Sequence, residues 1–210
     1  MLSEYLIETY GYNEPIFLKN LTLKGMNSKA LRQAVNRLAN DGKLLKYDAG
    51  IYYIPKPDRL LKRAALDSNK VIVRKYITNG RDIYGYYAGL AAANRLGFTT
   101  QMPAQIELTT NMESSRGRTV VIGTRTVRVK RPKAEITADN YLVLQLLEIL
   151  QDIETISDLE QDKLITSLKN YITSNQLDWS QVMEYISLYP GKVAQKIIKW
   201  GLTYDFTQQY

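Results

Sequence analysis

Arg32, Gln33, Asn36 and Arg37, in the stretch NSKALRQAVNRLANDGKLLKYDAGIYYIP (residues 27–55), are the residues whose types and spacing could do the most specific chemistry. An arginine fork matches the O6 and N7 acceptors of guanine, and an Asn or Gln amide matches the paired groups on adenine. Lysine contributes charge to phosphate without reading sequence. If residues 28–40 form a helix, Leu31, Ala34, Val35 and Leu38 fall at i, i+3, i+4, i+7 and make its buried stripe. Lys29, Arg32, Gln33, Asn36, Arg37 and Asn40 then lie on the opposite face. The basic hairpin that follows adds Lys43, Lys46 and Tyr47. With Ser28 at the helix start, these residues make up a DNA-binding set: a helix for the major groove and a wing beside it. The competing reading is an ordinary solvated face, since any amphipathic helix exposes polar residues.

A second basic cluster lies in SSRGRTVVIGTRTVRVKRPK: Arg116, Arg118, Arg125, Arg128, Lys130, Arg131 and Lys133. Arg128 and Lys130 alternate with Val127 and Val129, so in a strand they share one face. Either this is an extended surface for nucleic acid or an acidic partner, or it is a solvated face balanced by acidic helices downstream. A nuclease would need an acidic pair and a lysine converging on a sheet. Glu107 and Lys130 sit on separate strand candidates, and there is no tight Asp/Glu-x-Lys unit. Asp152, Glu154, Asp158, Glu160 and Asp162 straddle an expected helix break without calcium-loop spacing. They are expected to be a solvated helix end. GRDIYGYYAG has glycines but no Lys-Ser/Thr pair, so no nucleotide cradle is expected. Most of the sixteen tyrosines are expected to fill cores.

Several classes drop out on composition. The chain has neither cysteine nor histidine. Thiolate zinc sites, disulfides, cysteine nucleophiles and histidine triads are excluded, and no metal site, cofactor or catalytic residue is expected. A hydrophobic fraction of 45% and a charged fraction of 23% are those of a chain with a real core. No apolar run approaches a membrane span, and MLSEYLIETYGYNEP lacks the basic start of a signal peptide. The charge is uneven: residues 1–135 carry 23 Lys/Arg against 11 Asp/Glu, and residues 136–210 carry 5 against 10. Such asymmetry suggests a polyanion-binding part and a differently employed part. Alternatively, an acidic tail packs on a basic body.

The elements that must position these residues follow from periodicity. Residues 2–10 are expected to form a first helix ended by Gly11, and EPIFLKNLT a short second one after Pro15. Asn27 or Ser28 caps the third helix and Asp41-Gly42 ends it. KLLKYDAGIYYIP reads as two strands around Asp48-Ala49-Gly50. NKVIVRKYITN and YYAGLAAANRLGF read as helices, AQIELTT, RTVVIGT and TVRVKR as strands, the last two joined at Gly123-Thr124. Four helices follow from Ala138, with Ser157 and Glu160 as a capping box and Asp178 as a cap.

DGKLLKYDAGIYYIPKP, GYYAGLAAANRLGFTTQMPAQIELTTN and RTVVIGTRTVRVKRP together resemble the AbiE-type antitoxins, the regulator half of bacterial abortive-infection, or type IV toxin–antitoxin, pairs. The wing end Gly50–Pro55 and the run Ala92–Pro103 carry the resemblance, which covers about residues 1–135; the family also carries a helical tail. It implies a non-enzymatic, cytoplasmic, autoregulating repressor that binds inverted repeats of double-stranded DNA in its own promoter, two copies per operator. It also implies phage resistance through counteracting a cognate nucleotidyltransferase-like toxin, with or without a stable complex. The expected fold is α/β (mixed α+β). A winged helix-turn-helix occupies residues 1–57 and a linker 58–63. An antitoxin domain spans 64–210, with a small antiparallel sheet within 64–135 and a helical bundle over 136–205. The alternative is a stand-alone winged-helix regulator whose second domain binds a ligand or protein.

Overall fold

The structure, a computed structural model, describes residues 2–57 and 65–206; the expected linker at 58–63 lies outside the described residues. The fold is mixed α/β, with eight α-helices and two small sheets among the described residues. The chain divides into two compact units, Met1–Arg74 and Lys75–Tyr210. The division falls within a helix, beyond the linker expected from sequence. Among the described residues, no helix is long and apolar enough to cross a membrane.

In the first unit, α1 (Leu2–Tyr10) buries Leu6, and α2 (Ser28–Asn40) buries Leu31 and Val35. Asn27 accepts the Ala30 N–H on its Oδ1 at 2.8 Å, which satisfies one of the donors a helix start leaves unpaired. Gly42 follows with a positive φ of 70°, the conformation that favours glycine after a helix end. Strands β2 (Leu45–Asp48) and β3 (Ile51–Tyr53) form the expected hairpin. The expected second helix is not there. Ile16–Phe17 form strand β1, and only Leu18–Asn20 coil, as a 3-10 turn. The reason is tertiary. Pro15 holds the chain before it extended, and Ile16 and Phe17 bury themselves by pairing with Tyr52 and Ile51. The resulting antiparallel sheet has the order β1-β3-β2. Its core joins Leu6, Ile16, Leu31, Val35, Leu44 and Tyr52; full burial of each large apolar side chain is worth about 1.5–3 kcal/mol.

Helix α3 (Ser68–Tyr76) crosses the division. Its first turn belongs to the first unit, where Lys70 pairs with Glu14 and Ser68 Oγ accepts the Tyr47 hydroxyl at 2.8 Å.

The second unit holds a four-stranded sheet of β4 (Gly85–Ala88), β5 (Ile106–Thr110), β6 (Arg118–Ile122) and β7 (Arg125–Lys130) in the order β4-β5-β7-β6. The sheet is mixed, which corrects the antiparallel expectation: β5 and β7 run parallel. The β6–β7 hairpin inserts its second strand because Val127 and Val129 are fully buried, whereas β6 presents Arg118, Thr119 and Val121 to solvent and belongs at the edge. β4 is a strand that helical periodicity had absorbed. α4 is therefore shorter than expected, Gly89–Arg95. Gly85 shows why: a Cβ there would stand 2.0 Å from the Tyr76 carbonyl oxygen.

Helices α5 (Tyr141–Ile156), α6 (Gln161–Ser174), α7 (Trp179–Tyr185) and α8 (Gly191–Lys199) form the bundle. α5 is its centre, burying Val143, Leu144, Leu146, Leu147, Ile149, Leu150 and Ile153 around its circumference. Asp178 caps α7 through the Ser180 N–H. The Ser157–Glu160 capping box does not form. Ser157 Oγ instead donates to the Phe98 carbonyl at 2.6 Å and accepts the Leu159 N–H, and α6 begins after Glu160. A tertiary acceptor has outcompeted the local motif.

Candidate nucleic-acid interface

Helix α2 is amphipathic in the way its sequence requires. Leu31 and Val35 face the core of the first unit. Ser28, Lys29, Arg32, Gln33, Asn36, Arg37 and Asn40 are all exposed. At 3.6 residues per turn, Lys29 to Asn40 occupy an arc of about 140°. Among the described residues, no salt bridge engages Lys29, Arg32 or Arg37. Two arginine forks, three amides and a lysine are thus presented together on a 13-residue helix.

The hairpin extends the same chemistry in part. Lys43 and Lys46 are exposed, and Lys46 pairs with Tyr52 across the strands. Tyr47 points elsewhere: it is half-buried and its hydroxyl is committed to Ser68. It supports the hairpin's position against the start of α3, and its hydroxyl is already partnered there. At the tip, Asp48 accepts the Ala49 N–H at 2.7 Å, which keeps the turn tight but sets a carboxylate close to the lysines.

The second basic cluster is split by the fold. Arg118 pairs with Glu113, whose buried carboxylate also accepts the Ser115 N–H at 3.0 Å and the Ser115 hydroxyl at 2.8 Å. The Ser115 backbone bond, with Arg118 assisting, holds the Glu113 carboxyl down at about 2. Lys130 reaches Glu148 at 2.7 Å and Glu107 at 3.8 Å. Lys133 donates to the Leu188 carbonyl at 2.8 Å and lies over the Tyr189 ring. Arg116, Arg125, Arg128 and Arg131 remain exposed. Arg128 and Lys130 do lie on one face by register, yet one side chain is exposed and the other half-buried and ion-paired.

Glu148 is the residue that sequence reasoning missed. It accepts the Tyr86 hydroxyl at 2.8 Å and the Thr109 hydroxyl at 2.9 Å, besides pairing with Lys130. Burial, and next the Glu148 charge, push the Tyr86 hydroxyl well above its ordinary range. A glutamate inside LVLQLLEILQ was the available signal, because a carboxylate buried on a core helix needs a partner. Glu107, Lys130 and Glu148 thus converge from β5, β7 and α5 beside a polar cavity of about 240 Å³. Glu148 is fully engaged within the protein, and among the described residues no three potential metal ligands gather.

Three of the five acidic residues at the helix break have partners. Asp152 pairs with Lys192 and Glu154 with Lys196. Asp158 accepts the Thr100 N–H and hydroxyl, which lower its carboxyl below the usual range. Lys130–Glu148 joins the basic and acidic parts of the chain. Asp152–Lys192, Glu154–Lys196 and Asp205–Lys169 stay within the acidic part.

No curated protein matches the sequence. A family model does match, over residues 11–176, which takes in the α2 face, the hairpin, the four-stranded sheet and the first two bundle helices. The chain therefore belongs to that family, one of unknown function designated DUF6088.

Proposed function

We propose that the chain is a non-enzymatic DNA-binding regulator, with its first unit acting as a winged helix-turn-helix. The observation that carries this is the α2 face: seven polar residues, three of them cationic, stand exposed on one helix while its opposite face anchors the core. The order helix, strand, 3-10 turn, helix, hairpin and the sheet order β1-β3-β2 support a wing beside that helix. In the proposed complex, α2 enters the major groove, Arg32 and Arg37 reach guanine edges, Gln33 and Asn36 reach adenine edges, and Lys29, Lys43 and Lys46 hold phosphate. Two copies read an inverted repeat. The resemblance to AbiE-type antitoxins extends this to repression of the chain's own operon in the bacterial cytoplasm and to counteracting a cognate toxin. That second role rests on the resemblance alone.

Fluorescence anisotropy with the gene's own upstream region tests the first role. Sequence-preferring binding that weakens steeply with salt, and that falls in Arg32→Ala and Arg37→Ala with the fold intact, is expected. Unchanged affinity in both variants sinks α2 as the reader. Co-expression with the neighbouring gene tests the second: growth arrest that this chain does not relieve overturns it.

A further inference from the structure

From Ser114 to Ala134 the chain carries seven basic residues and no acidic one. Arg118, Lys130 and Lys133 each have a partner within the second unit, although Arg118 and Lys133 stay exposed. Arg116, Arg125, Arg128 and Arg131 are exposed, and among the described residues no salt bridge engages them. They surround β6, an edge strand bonded on one side to β7. Arg125 stands opposite Ile122, and Arg128 opposite Thr119. The Arg128 guanidinium then lies beside Gly117, with Nε 3.6 Å from where a Cβ would be. A cation from the inner strand is thereby carried across to the start of the outer one. On the edge strand itself, Val121 is 67% exposed.

An edge strand offers unpaired N–H and C=O groups to any extended chain that approaches. A second copy of this strand is a poor occupant, because like charges placed opposite one another destabilise a strand pair. An extended segment rich in Asp and Glu does not meet that objection. Its backbone extends the ladder, its apolar alternate residues share the face of Val121, and its acidic ones share the opposite face with Arg125, with Arg128, beside Gly117, and the flanking Arg116 and Arg131 drawing in the acidic ends.

We propose that the free edge of β6, with Arg116, Arg125, Arg128 and Arg131, is a docking strand for an extended acidic segment of a partner protein. This surface belongs to the second unit and stands whether or not α2 reads DNA.

The full-length protein is titrated with three labelled eight-residue probes: alternating Glu-Val, alternating Lys-Val, and alternating Glu-Pro. The last keeps the charge but half its residues lack an N–H. A dT12 oligonucleotide serves as competitor. Glu-Val is expected to bind at least ten-fold tighter than either other peptide and to slow amide exchange within Thr119–Ile122. Arg125→Glu/Arg128→Glu, surface changes checked by circular dichroism, are expected to weaken it at least ten-fold. Equal binding of Glu-Val and Glu-Pro overturns strand addition and leaves charge alone. Binding of dT12 without Glu-Val makes the surface one for nucleic acid and overturns the proposal, as does no peptide binding at all.

Discussion

The α2 face and the β6–β7 hairpin are both basic, yet they use their charge differently. On α2 every cation faces water and the apolar residues alone hold the helix down. On the hairpin, charge and core share the same strands, and Arg118 and Lys130 are drawn into internal pairs. A helix separates its two faces by rotation. A strand can alternate only two faces, and on this hairpin one of them buries Val127 and Val129 while the other carries both the exposed Arg128 and the paired Lys130. Equal charge density therefore does not mean equal availability. Substituting a cation should cost ligand affinity on α2; on the hairpin it should cost stability at Lys130 and ligand affinity at Arg125 and Arg128.

The largest expected effect is on stability. Glu148→Ala leaves the Lys130 ammonium without its nearest carboxylate and the Tyr86 and Thr109 hydroxyls without their acceptor. About 3 kcal/mol should be lost, read as a lower urea midpoint, with DNA binding unchanged by anisotropy. A loss below about 1 kcal/mol would erase the distinction between the two regions. Next come Arg32→Ala and Arg37→Ala, each expected to weaken operator binding by about 1–3 kcal/mol while the urea midpoint moves by less than about 0.5 kcal/mol equivalent. If either variant unfolds more readily instead, that arginine is structural and the α2 face is no freer than the hairpin.

Asn27→Ala should remove the α2 cap at a cost of about 1 kcal/mol, which sharpens the comparison by loosening the helix without touching its presented side chains. The smallest effect is a pH dependence. Glu113 is held at about 2 in the folded protein, below its value in an unfolded chain. Its stabilisation is thus present at neutral pH and lost as pH falls from about 4.5 toward about 2. Denaturation midpoints of the wild type and Glu113→Gln should differ at pH 6 and draw together near pH 2.5. Parallel curves throughout would mean that the Glu113–Arg118 pair contributes nothing.

Much of the fold was legible because local chemistry and tertiary demand agreed. Asn27, Gly42 and the Asp48-Ala49-Gly50 turn marked out α2 and the hairpin, and Asp178 marked the start of α7. The failures share one cause. Ile16–Phe17, Gly85–Ala88 and Ser157 each had a local preference that a distant partner overrode: Tyr52 and Ile51, then β5, then the Phe98 carbonyl. The α2 face could be drawn from spacing alone, since a helix's period assigns its faces. Tyr47 could not be placed, because its hydroxyl partner lies 21 residues away.

By itself, the sequence determined that no cysteine or histidine chemistry is available, how the charge is distributed, and which side of α2 is polar. Those are matters of residue type and of a period the backbone sets locally. Only the tertiary structure decided that β5 and β7 run parallel, that Glu148 takes Lys130, and that Arg118, Lys130 and Lys133 find partners among the seven clustered cations. Each depends on which segments meet across many residues of chain. Burial then makes every charge find a partner or remain outside.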